Sequence, residues 1–204
     1  TVIGIIYIIT SGFNKSGIMY MLLVGIALNA IATVGIGFLT FISSDSQLRN
    51  ITFWMMGSYG SANWILLLPA IFVISASTII LISISRKLDI MQLGEIEAYR
   101  VGVDIKKTKM IIIISTAIMI GASVSLSGIV GFIGLVVPHL VRLLGGANHR
   151  YLLLGSALMG VIISVNADLF SRIVIQPAEI PIGLATSALG APFFLWLVLR
   201  LRER

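Results

Sequence analysis

The 204-residue sequence contains no cysteine, which excludes a disulfide framework and a thiolate metal site. Charge is scarce too: 11% of residues are charged, eight of them acids, against 58% hydrophobic and a mean hydropathy of +1.08. That balance lies outside the range of a water-soluble globular domain. No Gly-x-x-x-x-Gly-Lys-[Ser/Thr] phosphate cradle occurs, so nucleotide is not bound by that route. No apolar stretch carries a carboxylate near its middle, since Asp168 and Glu179 fall toward the ends of theirs. Carriers driven by protons or sodium place ionisable groups at the membrane midplane, so the energy source is expected outside these helices.

What the sequence does have is apolar length. A helix needs about 20 apolar residues to cross a hydrocarbon core of about 30 Å, and lipid leaves the backbone no alternative to helix. Thr1 opens the chain inside an apolar run, with no charged n-region and no cleavage site, which reads as a fragment beginning within a helix. Residues 1–12 read as the end of one span, Gly12 to Gly17 with Lys15 as a turn, and residues 18–41 as a complete span. A more polar connection, Asp45 to Asn63, carries an amphipathic piece from Leu48 to Met56, with Trp54, Tyr59 and Trp64 as an interfacial aromatic belt. Further spans are read at 64–85, 151–170 and 181–200. The most charged stretch, Arg86 to Lys109, holds six of the fourteen basic residues and four of the eight acids. One membrane domain over residues 1–204 is expected, with 86–109 a cytoplasmic loop inside it.

The apolar run 110–141 is long enough for one extended helix or two short ones. Two short segments leave twelve basic residues on one side and two, Arg49 and Arg172, on the other; a single helix gives eight against six. The positive-inside rule selects two segments, a cytoplasmic Arg86 to Lys109 stretch and a cytoplasmic C-terminus. Gly128, Gly131 and Gly134 are expected to interrupt the run and Pro138 to end it. The basic residues thus act as topology signals between spans, which speaks against nucleic acid as a partner.

Within the charged stretch, residues 94–103 read as a short helix: Glu95 and Glu97 lie near its start and Gly102 at its end, as the helix dipole and a left-handed cap favour. Such a helix either fits a groove on a soluble subunit or is a solvated connector. Its pattern, Gly94-Glu95-x-x-Ala98-x-x-x-Gly102, resembles the coupling segment of the FecCD-type, BtuC-like permeases of ATP-binding cassette importers. Gly128-x-x-Gly131-Phe-x-Gly134-Leu-x-x-Pro138-His139-x-x-Arg142 is similar to another stretch of that family, as is Asn148-His149-Arg150, where Asn148 departs from the usual aspartate. Residues 178–183 and 189–196 extend the likeness to the C-terminus.

The resemblance implies an all-α polytopic transmembrane bundle of the BtuC-like fold, with about the last six of ten spans present here. It implies a bacterial cytoplasmic membrane protein that imports ferric siderophore, or haem or cobalamin, by alternating access. A second permease copy, two cytoplasmic ATP-binding subunits gripping Gly94 to Gly102, and an external substrate-binding protein are the implied partners. The chain itself is expected to perform no catalysis and to hold no cofactor. The reading from another class is a secondary carrier.

Arg172, one turn beyond Asp168, forms an i,i+4 ion pair or, as the resemblance implies, anchors the external binding protein. Arg49 either holds the amphipathic piece at the headgroups or guides an anionic chelate into the mouth. Asn29 sits mid-span, where an unbonded amide is costly, so a hydrogen bond to another helix is expected first and a pathway role second. His139 and His149 lie beside arginines without an acidic cluster and are read as structural, so no metal site is expected. Glu179, ahead of Pro181, reads as a cap on the last helix.

Overall fold

The computed structural model describes residues 18–60, 63–174 and 180–202; the reading of residues 1–12, the turn at Lys15 and the cap at Glu179 fall outside them. Among the described residues the chain forms nine helices and no strand: α1 (Ile18–Phe41), α2 (Asp45–Met55), α3 (Trp64–Ser83), α4 (Ser85–Met91), α5 (Glu95–Arg100), α6 (Ile105–Ser127), α7 (Ile133–Gly145), α8 (His149–Ile173) and α9 (Ile182–Arg202). Four of them, α1, α3, α6 and α8, are long and apolar enough to cross a membrane. From residue 22 to residue 41 α1 has no buried side chain, and α2 is in contact with it.

Two groups of helices carry the packing. Helix α3 lies along α6, and α7 lies along α8 with α9 against both. Both members of the first pair bury small residues: Ala70 and Ser77 of α3, and Thr108 and Ser115 of α6, seven positions apart in each helix. In lipid, where apolar side chains gain nothing by leaving their surroundings, small residues let backbones approach and dispersion hold them. The second group centres on Val137, Val141 and Leu152. Gly155 of α8 makes room there, since a Cβ on it would stand 2.7 Å from a Val141 methyl.

The run 110–141 does divide in two, unequally. Helix α6 is a full span ending at Gly128 (φ 70), and α7 is a 13-residue helix starting after Phe132 (φ 63). The expectation that Gly134 interrupts the run and Pro138 ends it is corrected: both lie inside α7, which continues to Gly145. Proline inside a helix forfeits its amide bond, here the one Gly134's carbonyl would have accepted, and crowds that carbonyl, yet the helix continues through it. Gly131 does lie in the break.

At the break three chain segments meet through backbone alone. Ser58 donates its N–H to Ser127 O (2.9 Å), Ile182 to Gly57 O (3.1 Å) and Gly183 to Met56 O (2.9 Å). Such proximity excludes side chains: a Cβ on Gly128 would overlap Trp54 O, one on Gly183 would overlap Met56 O, and one on Gly57 would sit 2.9 Å from Ile129 O. We call this the glycine end of the bundle. Chain direction places Arg49 and Arg172 toward it, and Arg86, Lys87, Arg100, Lys106, Lys107, Lys109, Arg142 and Arg150 toward the opposite, basic end.

Candidate coupling surface

The basic end is built around α5. Gly94 precedes it with φ 109 and ψ 150, a region essentially reserved for glycine. At its other end Gly102 (φ 90) donates to Tyr99 O (3.0 Å) and Val103 to Ala98 O (3.0 Å), the two bonds of a Schellman motif. A Cβ at either glycine would meet open space, so the constraint there is torsional rather than steric. Ala98 is fully buried, on the face turned to the rest of the fold. Glu95 reaches Lys109 of α6 at 2.6 Å, and Glu97 pairs with Arg100 on α5 itself at 3.0 Å. Both pairs are solvent-facing and contribute at most about 1 kcal/mol each. Asp104 caps α6 by accepting the Lys107 N–H, which holds its carboxyl below the ordinary carboxylate range.

The outer side of this corner is apolar. Leu93, Ile96, Tyr99 and Val101, two on α5 and one on each flank of it, are each at least 70% exposed. Beside them a groove of about 810 Å³ runs over Glu95, Tyr99, Arg100 and Gly102 to Lys106. Exposed apolar residues rimmed by charge are the composition of a protein-binding surface. The motif at 94–102 locates the helix but not these four residues; their signal is hydrophobic side chains interleaved with Glu95, Glu97 and Arg100 in a stretch too charged to be a span.

The other sequence-predicted residues lie apart from this surface. Arg172 forks onto Asp168 of its own helix, Nε to Oδ2 at 2.9 Å and Nη2 to Oδ1 at 3.3 Å, so the i,i+4 pair exists. Arg49 lies over the Phe53 ring at 5.7 Å within α2. Asn29 is exposed on α1 and faces no other helix among the described residues, so the expected inter-helix bond is not made here. Arg142 is exposed in the last turn of α7, and the His139 Nε2 is buried with no hydrogen-bond partner. No group of three or more metal-ligating side chains occurs among the described residues. An apolar cavity of about 600 Å³ between α7, α8 and α9 contains none of these candidates. His149 belongs to a network that sequence reading missed: its backbone N–H and its ring Nδ1 both lie 2.8 Å from Asp89 Oδ1 on α4.

The profile of the FecCD transport family matches residues 1–200. The chain belongs to the FecCD family. This FecCD chain is 46% identical over 194 residues to the hemin transport system permease protein HmuU of Yersinia pestis, a match covering 95% of the chain and 58% of the relative. It is 40% identical over 183 residues to the vitamin B12 import system permease protein BtuC of Vibrio cholerae, covering 88% and 54%. A solved structure of a metal-chelate type ABC transporter in an inward-facing conformation superposes with a TM-score of 0.90 at 31% identity, covering 97% of this chain and 63% of that one. The FecCD chain therefore spans a little over half the length of the curated relatives it matches.

Proposed function

We propose that this chain forms part of the permease subunit of an ATP-binding cassette importer, passing an iron chelate across the bacterial cytoplasmic membrane by alternating access. The observation that carries the reading is the bare apolar surface of Leu93, Ile96, Tyr99 and Val101, set in a charged rim at the basic end of a lipid-soluble bundle. Positive charge marks the cytoplasmic side of a membrane protein, so this surface faces a cytoplasmic subunit, and membership of a family whose relatives belong to ABC transporters supports an ATP-hydrolysing one. The C-terminus then also lies in the cytoplasm. Two permease copies enclose the pathway, an external binding protein delivers the cargo at the glycine end, and the permease itself carries out no covalent chemistry. Among chelates, the identity to a hemin permease at 46%, against 40% for a vitamin B12 permease, supports haem ahead of cobalamin.

Reconstituting the full-length permease with its ATP-binding subunits and binding protein should give ATP-dependent uptake of hemin in preference to ferrichrome or cyanocobalamin. Uptake that persists without the ATP-binding subunits overturns the mechanism. Ile96→Glu should lower retention of those subunits on purification about tenfold or more, because a charge would be carried into an apolar contact. Arg172→Glu should weaken docking of the binding protein in a pull-down while leaving ATPase assembly intact; unchanged docking removes the anchoring role.

A further inference from the structure

The α5 corner touches both helix groups, through two separate linkages. One runs into α6, through the Schellman turn and the Glu95–Lys109 pair, and α6 carries α3 with it. The other runs back through α4 into the first turn of α8. A helix begins with amides that no carbonyl of its own can satisfy. Asn148, the N-cap of α8, accepts those of Arg150 (2.9 Å) and Tyr151 (3.3 Å), which leaves the first, His149, out of its reach. Asp89 of α4 accepts that one. The same oxygen also takes the ring proton on Nδ1. Gln92 Nε2 stands 2.9 Å from Nδ1 and 3.0 Å from Ala147 O. With Nδ1 already donating to Asp89 it has no lone pair to offer, so the amide proton goes to Ala147 O.

Three side chains thus fasten α4 to the start of α8, in a half-buried setting: the Asp89 and His149 side chains are 34% and 18% exposed. The carboxylate also stands at the positive end of the α8 dipole. The His149 amide is the main reason Asp89's carboxyl lies below the ordinary range.

We infer that Asp89 is a positioning residue that fastens the coupling corner to α8, so that displacement of α5 reaches the α7–α8–α9 group as well as the α3–α6 pair. The inference rests on the reading that α5 receives work from an ATP-hydrolysing partner. Without the Asp89 link, the Gln92 bond to Ala147 O still ties α4 to the start of α8, and the lever common to the two groups is weakened.

The test is hydrogen exchange on the complete transporter, with and without ATP and vanadate, for wild type, Asp89→Ala and Asp89→Asn. In wild type, nucleotide should alter exchange at 94–103 and at 149–153 together. In Asp89→Ala the response at 149–153 should fall several-fold while that at 94–103 remains, and hemin imported per ATP hydrolysed should fall about tenfold. Asp89→Asn keeps an oxygen in the same place and should retain most of both. An undiminished response at 149–153 in Asp89→Ala overturns the inference, and so does a loss of complex assembly in Asp89→Ala, which would make Asp89 a purely structural residue. Absence of any nucleotide effect at 94–103 in wild type would instead sink the coupling reading itself.

Discussion

The two ends of the bundle are joined by opposite means. At the glycine end, Met56 to Ser58, Ser127 to Ile129 and Ile182 to Gly183 exchange backbone hydrogen bonds, and glycines at 57, 128 and 183 keep side chains out. At the basic end the links are side chains: Asp89 to His149, Gln92 to Ala147, Glu95 to Lys109. Backbone contacts made at the limit of atomic size have one geometry and no slack. Long side chains hold a distance while allowing the elements they join to tilt. The difference fits the proposed working of the molecule from its basic end, where compliant joints would meet the partner and a fixed junction would lie opposite.

The sharpest way to break the contrast is at Gly128. Valine there would combine a β-branched residue at φ 70 with direct overlap on Trp54 O, and should destabilise the fold by at least about 3 kcal/mol. Loss of the monodisperse detergent-solubilised protein is the expected outcome; a folded Gly128→Val would show the junction to be slack. At the basic end Gly102→Ala meets no neighbouring atom, so only the torsional cost of about 1–3 kcal/mol remains. A thermal-unfolding comparison should therefore rank Gly128→Val above Gly102→Ala, and similar losses would erase the distinction.

The smallest effect is expected from acid. Asp89 and Asp104, the caps at the basic end, both have carboxyls held below their ordinary range by backbone amides, of His149 and Lys107. A depressed carboxylate contributes stability that is complete above its unfolded value, about 3.9, and is lost as pH falls through the lower folded value. Hydrogen exchange at the first turns of α6 and α8 should be unchanged, after correction for intrinsic rates, from pH about 8 to about 5, and should rise only below about 4. The Gly57–Ile182 and Met56–Gly183 bonds have no ionisable partner and should show no such step. A change common to both ends would mean that acid acts on the whole bundle rather than on these caps.

Much of the architecture was legible from hydropathy and glycine. The spans at 18–41 and 64–85 correspond to α1 and to α3 with its continuation into α4, the short helix before Gly102 is α5, and the Asp168–Arg172 pair follows from helical spacing. These are local features, in which a residue's neighbours in sequence are its neighbours in space. Pro138 was misjudged because a single missing amide bond is tolerated inside α7. The Asp89–His149 link and the meeting of Gly57 with Gly128 and Gly183 were not legible at all. Each joins residues tens of positions apart, and no periodicity records which of two helix ends will abut. Asn29 shows the converse limit: composition said that an amide in an apolar helix needs a partner, and the described helices do not include one.

The seating of α2 against α9 has an electrical consequence. Carbonyls at the close of α2 bear partial negative charge, and the amides of Ile182 and Gly183 that open α9 bear partial positive charge. Joined end to end, the two terminal charges neutralise each other where they touch, and little field escapes. An open α9 terminus would attract and retain any anion passing nearby. Closed in this way, the seam leaves these two helix termini little free charge of their own.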